Sequence, residues 1–178
     1  GLVLSRALHE LPASIDSTLG VYFVPALTGT GAPWWDDQAR GVICGLSRGV
    51  TPAHLIRASL EAIAYQIADV IEAMRLHPRF RLETLMVDGG PTQNPWLMQF
   101  QADLLGCPVA RSSTPELSAL GAGLLARRTL GQLNDEQLLA LIPEHDLWQP
   151  DPGRYERCQQ SWLGWQDAVK RTLWQPSR

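Results

Sequence analysis

The sequence lacks an excess of positive charge. Its 178 residues include 15 lysines and arginines against 18 aspartates and glutamates, which leaves a net charge of -3. Nucleic acids and anionic membranes attract basic surfaces, so bulk electrostatics favours neither as a partner. Hydrophobic residues make up 45% of the chain and charged residues 19%, which is the ordinary balance of a soluble globular domain.

Long apolar runs and paired cysteines are also missing. No run approaches the roughly 18 apolar residues that a membrane-spanning helix needs, and the first residues show no signal-peptide pattern. Cys44, Cys107 and Cys158 are widely spaced and form no C-x-x-C pair. Such cysteines favour reduced thiols in a cytoplasmic protein over a disulfide framework. The four histidines are scattered too, so we expect no structural zinc site.

The first residues predict a helix that is already under way. In GLVLSRALHEL, apolar residues recur at Leu4, Leu8 and Leu11, and no capping residue precedes them. We therefore expect this chain to be part of a longer protein.

The rest of the chain alternates strand-like and helical segments. The predicted strands lie in VYFVPAL, GVICGL, LETLMVDGG and PVARS. The predicted helices cover residues 52–75, 95–105, 118–130, 135–142 and 155–174, and HDLWQPDPG is predicted to be a proline-broken connection. This order predicts an α/β domain with a mixed sheet flanked by helices, with a core at about 20–131 and a helical extension at 132–178.

Three of the predicted helices carry packing signals. Thr51 and Pro52 begin the helix 52–75, whose core-packing apolar face is expected at Ile56, Leu60, Ile63, Ile67, Val70 and Met74. In the next helix, the residues expected to face the core are Leu97, Phe100 and Leu104. The helix 118–130 is rich in alanine and other small residues, which permit close packing.

The stretch LMVDGGPTQNPW joins an apolar strand to the start of a helix. Ligands of open α/β sheets bind at the carboxyl ends of the strands, where this loop is predicted to lie. Gly89 and Gly90 have no Cβ atom, so a nucleoside or phosphate could approach the backbone closely. Asn94 could cap the following helix or bind the ligand. A plain turn with a cap, and no ligand, fits the same residues.

Aspartates near this loop and near a tryptophan pair are further candidates. Asp88 could be a general base or a metal ligand, but an aspartate beside glycines more often forms an Asx-type turn. Asp36 and Asp37 follow Trp34 and Trp35 and could bind a metal or stack a base. We favour a solvated loop that is anchored by tryptophan packing. Cys44 and Cys107 are expected to be core residues.

Several stretches of the chain resemble the C-terminal half of the FGGY carbohydrate kinases, and most closely the glycerol kinases among them. They are VPALTGTGAPWWDDQARGVICGLSRG, GVICGLSRGVTPAHLIRASLEAIAYQ, VDGGPTQNPWLMQFQADLLGCPV and PELSALGAGLLA. In the second stretch, Gly45-Leu46, His54-Leu55 and Ala58-Ser59-Leu60-Glu61 fit a family signature at its spacing. The resemblance extends over nearly the whole chain from Val21, including GWQDAVKRTLW near the end.

This resemblance implies a ribonuclease-H-like, actin-like ATPase domain that binds ATP in a cleft between two domains. Gly89 and Gly90 would pass the adenine and ribose at backbone distance, and Asn94 stands where the family has an asparagine that contacts the nucleotide. Mg²⁺ would be held mainly through the phosphates, so no metal ligand is expected from this chain. Pro95 and Trp35 depart from the usual glycerol kinase residues, which bears on the identity of the acceptor.

The resemblance also implies that the catalytic residue is elsewhere. The family's phosphate loop and catalytic Asp belong to an N-terminal domain upstream of Gly1, so no catalytic residue is expected here. The expected reaction is phosphoryl transfer from ATP to a polyol or sugar, with glycerol first and a xylulose or gluconate kinase as the alternative. The expected partners are this N-terminal domain and the small-molecule substrate, with a homo-oligomer left open. A non-catalytic actin-like binding module is the hypothesis from a different class.

Overall fold

The computed structural model describes residues 10–114, 116–141 and 145–173. Within these ranges the strands are β1 (Tyr22–Val24), β2 (Val42–Cys44), β3 (Leu85–Val87), β4 (Val109–Ser112) and β5 (His145–Trp148). The helices are α1 (Pro52–Arg75), α2 (Pro95–Leu105), α3 (Leu117–Thr129), α4 (Asp135–Leu139) and α5 (Pro152–Lys170), with 3-10 turns at Pro12–Ser14 and Gly90–Gln93. The helix predicted at the first residues, with Leu4 and Leu8, lies outside the described residues.

The strands form two sheets. β1 and β2 pair antiparallel, and β3, β4 and β5 form a three-stranded sheet in that order. β3 runs parallel to β4, and β5 runs antiparallel to it, so the predicted mixed sheet is confirmed. The prediction of a connection at HDLWQPDPG is wrong in its first half, because HDLW pairs with β4 in the register Ser112↔His145 to Val109↔Trp148. Its mostly exposed side chains carry no alternating pattern that would have shown an edge strand.

The long helix α1 begins as predicted but buries a different face. Thr51 precedes Pro52, and the Thr51 backbone N–H donates to His54 Nδ1 at 3.1 Å. Of the expected apolar face only Leu60 is buried. The residues that α1 buries are His54, Ala58, Leu60, Glu61, Ala62, Ala64, Tyr65, Ala68, Asp69 and Ile71. Small side chains on this face leave room for β1 and α2 to come close.

The core lies where α1, α2 and α5 meet. Tyr65 of α1 stacks on Trp165 of α5 with ring centroids 5.5 Å apart, and Phe100 of α2 meets its edge at 5.7 Å. Leu97 and Leu104 are buried as predicted, whereas Phe100 is only partly buried. Aromatic pairs in these geometries stabilise a core beyond the area that they bury.

A buried carboxylate ties three segments of this core together. Asp69 of α1, 4% exposed, accepts hydrogen bonds from three indole N–H groups. They belong to Trp34 at 2.9 Å, Trp162 at 2.7 Å and Trp165 at 2.9 Å. Because Trp34 lies in the loop after β1 and the other two lie on α5, the carboxylate joins this loop and α5 to α1.

The C-terminal helices differ from the sequence predictions in three places, the first being that α4 ends at Leu139 rather than at residue 142. α5 begins at Pro152 rather than Tyr155, since the Asp151 side chain accepts from the Gly153 N–H at 2.9 Å and caps the helix earlier. The end predicted at Trp174 lies outside the described residues. α3 buries none of its residues, so the close packing that its small side chains permit is not made within the described residues. None of the described helices has both the length and the apolar character that crossing a membrane requires.

Candidate functional site

A cleft lies at the carboxyl ends of the two parallel strands. It has a volume of about 620 Å³ and is lined by two segments, one after β3 and one after β4. The lining residues are Asp88, Gly89, Gly90 and Gln93 from the first segment and Ser113, Glu116, Leu117 and Ser118 from the second. Ligands of open α/β sheets bind in this position, so the cleft is the candidate site.

The glycines supply the open side of this cleft. Gly89 has φ 92°, a conformation that L side chains rarely adopt, so the backbone itself requires glycine there. A Cβ atom added at Gly89 or at Gly90 would meet no heavy atom within 4 Å. Both residues thus leave a surface of bare backbone to a ligand.

The turn after the glycines is held by local hydrogen bonds. The Thr92 N–H and Thr92 Oγ1 both donate to the Gly89 carbonyl, at 3.2 and 2.7 Å. The Asn94 N–H donates to the Pro91 carbonyl at 3.2 Å. Thr92 is buried, so the turn rests on the body of the domain while the glycines face the cleft.

Asn94 caps the helix that follows. Its Oδ1 accepts from the Leu97 N–H at 3.1 Å, and Pro95 occupies the first helical position. Asn94 is 6% exposed and is not among the residues that line the cleft. The structure thus realises the capping alternative for its oxygen, and a contact with a nucleotide remains a prediction.

The aspartates take different roles from one another. In the described part of the chain no hydrogen bond reaches the Asp88 carboxylate, so the Asx-type turn expected there does not form, and the side chain is exposed at the cleft.

In the loop after β1, Asp36 Oδ1 accepts from the Gln38 and Ala39 N–H groups at 2.8 and 3.1 Å. Trp34 anchors the same loop through Asp69, as expected, while Trp35 is 76% exposed. No group of three or more His, Cys, Asp and Glu among the described residues is placed to hold a metal ion.

The cysteines are free thiols. Cys107 and Cys158 are buried and Cys44 is half-buried, so the core assignment is confirmed for Cys107 and only in part for Cys44. Burial raises the pKa of the Cys107 thiol and raises that of Cys158 to about 11. Thiols with raised pKa values are poor nucleophiles at neutral pH, which fits structural roles.

A second, smaller cavity of about 180 Å³ lies among the N-terminal segment, α1, α2 and α5. Its buried acids already have partners. Glu61 accepts from Arg57 Nε at 2.8 Å and from the Tyr65 hydroxyl at 2.9 Å, and burial outweighs these contacts and raises its pKa. Asp103 accepts from the Gln99 side chain and the Asp151 N–H, both at 2.8 Å. With these groups satisfied inside the protein, the cavity offers a ligand less than the cleft does.

The sequence alone did not predict the cleft residues that follow β4, nor the arginine on β4 that contacts the glycine turn. Ser113, Glu116 and Ser118 follow β4 as the glycines follow β3, and the parallel pairing of the strands was the signal that could have identified them. Arg111 on β4 donates to the Thr92 carbonyl at 3.0 Å and so supports the glycine turn from beneath. No sequence signal marks this contact between residues 19 positions apart.

Comparison with known proteins finds matches over nearly the whole chain. The family model described as "FGGY family of carbohydrate kinases, C-terminal domain" matches residues 5–130. The apulose kinase of Pectobacterium atrosepticum is 49% identical over 95% of this chain and 34% of that protein. Glycerol kinase 2 of Thermotoga maritima is 45% identical over 96% of this chain and 35% of that protein.

Comparison with solved structures gives matches to the same kinds of kinase. The crystal structure of Plasmodium falciparum glycerol kinase with ADP superposes with a TM-score of 0.81 at 30% identity, over 96% of this chain and 34% of that one. The fold is therefore that of the actin-like ATPases, as these kinases have it. The chain spans about a third of the length of the relatives that it matches.

Proposed function

The chain belongs to the FGGY family of carbohydrate kinases as its C-terminal domain, and from this membership we propose that it is the ATP-binding half of an intact kinase. One observation of the structure carries the proposal. A cleft with a floor of bare glycine backbone lies at the carboxyl ends of two parallel strands. This is the place and the shape that a nucleoside requires in a sheet of this kind.

The cleft residues suit parts of a nucleotide. Gly89 and Gly90 let the adenine and ribose lie against the main chain, with no side chain in the way. Ser113 and Ser118 on the opposite wall carry hydroxyl groups that can both donate and accept hydrogen bonds. In this proposal Asn94 caps the helix that follows the glycine turn, and its side chain also contacts the nucleotide. The phosphates carry Mg²⁺, which needs no side chain of this chain.

The intact protein transfers the γ-phosphoryl group of ATP to a hydroxyl group of a polyol or sugar. Phosphoryl transfer depends on positioning and on charge stabilisation from both sides of a cleft, so the acceptor and the catalytic base belong to the N-terminal domain that the relatives' greater length provides. We propose glycerol as the acceptor, with apulose, xylulose and gluconate as alternatives. Scattered free thiols support a cytoplasmic location.

The experiment uses the full-length protein and the variant Gly90→Val. A branched side chain at Gly90 fills the space that the nucleoside would occupy, so the KM for ATP rises strongly while the KM for the acceptor stays within about twofold. If a well-folded Gly90→Val variant has the same KM for ATP as the wild type, the nucleotide does not bind in this cleft.

A second measurement tests the reaction itself. The full-length protein with ATP and each candidate acceptor should yield a phosphorylated product, and this chain alone with ATP and glycerol should yield none. Binding of ATP by the full-length protein without transfer to any acceptor would favour a non-catalytic binding module instead.

A further inference from the structure

Arg111 bridges the glycine turn and the edge strand β5. Its Nη1 donates to the Thr92 carbonyl at 3.0 Å, and its Nη2 forms an ion pair with Asp146 of β5. The guanidinium also lies over the Trp148 ring, 5.3 Å from its centroid. Asp146 is the register partner of Arg111, and Trp148 lies two residues further along β5, so both belong to one face of the strand.

This bridge connects β4 and β5 to a turn whose own hydrogen bonds are local. The turn contains two adjacent glycines, and Gly89 keeps φ 92°. Glycine loses more conformational freedom on ordering than any other residue, so a loop of this kind needs external support to hold one shape. Arg111 of β4 provides that support by donating to the Thr92 carbonyl. The Thr92 hydroxyl in turn donates to the Gly89 carbonyl at 2.7 Å, so the contact with β4 extends to the glycines.

The guanidinium is suited to this task in a way that an ammonium is not. Its planar fork offers five N–H donors in fixed directions, so one edge can bind a carbonyl while another binds a carboxylate and the face stacks on an aromatic ring. Arg111 uses all three modes at once, and its side chain is only 19% exposed. Solvent screening is therefore limited at the Thr92 contact.

We propose that Arg111 is a positioning residue for the nucleotide: it holds the turn that follows Gly89 and Gly90 in the shape that admits ATP, and it couples this shape to β5. The inference rests on the proposed ATP site. Arg111 is not among the residues that line the cleft, so it acts through Thr92 and not by touching ATP. A turn that is already ordered binds its ligand more tightly because less entropy is lost on binding.

The test compares three variants of the full-length enzyme. Arg111→Met removes the donors and keeps the side-chain stem, and Arg111→Lys keeps the charge without the fork. Arg128→Met is the matched control, because Arg128 also forms an ion pair with an aspartate, Asp135 at 2.7 Å, but lies about 15 Å along α3 from Ser118. The KM values for ATP and acceptor, kcat, and hydrogen exchange of residues 89–94 are measured.

For both Arg111 variants we expect the KM for ATP to rise about tenfold, which corresponds to about 1.4 kcal/mol. The KM for the acceptor and kcat at saturating ATP should stay within about twofold. Exchange of the Thr92 and Asn94 amide protons should become faster, since their acceptors at Gly89 and Pro91 lie within the loosened turn. Arg128→Met should leave all of these values unchanged.

Other outcomes separate the two proposals. If Gly90→Val raises the KM for ATP but a folded Arg111→Met enzyme does not, the positioning role is wrong and the ATP site stands. If neither variant changes ATP kinetics, the ATP site itself is wrong. Equal losses in ATP binding, acceptor binding and kcat would show a general structural role and overturn the inference. If Arg111→Met does not fold, Asp146→Asn decides, because this 56% exposed carboxylate anchors Arg111, and an unchanged KM for ATP in this variant would refute the bridge.

Discussion

Asp69 is expected to be one of the most sensitive positions for stability. In Asp69→Ala the three indole N–H groups of Trp34, Trp162 and Trp165 lose their common acceptor. Trp162 and Trp165 are buried, so water cannot replace the lost carboxylate as their acceptor without entering the core. Each buried donor left without a partner costs about 1–3 kcal/mol, and the truncation also leaves a small void.

These terms sum to a loss of about 3–5 kcal/mol in the free energy of unfolding, since neighbouring contributions are not fully additive. Asp69→Asn should lose less, about 2–3 kcal/mol, because the amide keeps the shape and one acceptor oxygen. Its NH₂ group must then face at least one indole N–H, donor against donor. The two variants therefore separate the hydrogen-bonding term from the packing term.

The assay is denaturant unfolding of this chain followed by tryptophan fluorescence, which reports on the affected rings. Glu72→Gln is the control: Glu72 lies on the same helix, is half exposed and, among the residues that the structure describes, forms an ion pair with Arg75 alone, at 3.5 Å. Its loss should therefore stay below about 0.5 kcal/mol. If Asp69→Ala loses less than about 1 kcal/mol with an unchanged denaturant slope, the carboxylate does not organise these segments.

Three further predictions concern packing, pH and the helix cap. Leu104→Ala removes a leucine that is 1% exposed and should lower the free energy of unfolding by about 2–5 kcal/mol; a denaturant melt showing less than about 1 kcal/mol would contradict its place in the core. Burial raises the pKa of Cys158 from 9.0 to about 11, so its protonated thiol contributes stability that is complete below pH 9 and is lost as the pH rises through the folded pKa. Melts at about pH 7.5 and about pH 10.5 should show a smaller alkaline loss for Cys158→Ala than for the wild type, and equal losses would refute this. Asn94→Ala removes the bond to the Leu97 N–H and should lower stability by about 0.5–2 kcal/mol, with only a mild rise in the KM for ATP; a melting temperature equal to that of the wild type would exclude the cap.

The starts of α1 and α2 and the end of α2 were predictable because their signals act over a few residues. Thr51-Pro52 begins α1, Asn94-Pro95 begins α2, and Gly106 ends α2 with φ 65°. In each case the residue that satisfies the free backbone group lies within four positions, so the sequence itself contains both partners. The glycine turn is also set by residues that are close in sequence. Its open backbone at Gly89 and Gly90 could therefore be predicted as well.

The buried face of α1 was not predictable from periodicity. The regular spacing of large apolar residues predicted that they form the buried face. The helix instead buries several alanines together with Glu61, Tyr65 and Asp69. Periodicity measures where large apolar side chains recur, whereas burial depends on which neighbours come close. The neighbours of α1 include β1 and α2, and neither adjacency is encoded within the helix.

The sequence by itself determined the alternation of strands and helices, the caps, the glycine turn and, through its motifs, the family. These depend on backbone preferences and hydrogen bonds within a few residues, and on residue patterns that can be compared directly. Only the tertiary structure decided that β5 pairs with β4, that Asp69 gathers tryptophans up to 96 residues away, and that Arg111 supports the turn at Thr92. Such contacts exist only once packing brings distant segments together, since a carboxylate or a guanidinium has the same local signature whether it ends in solvent or in the core.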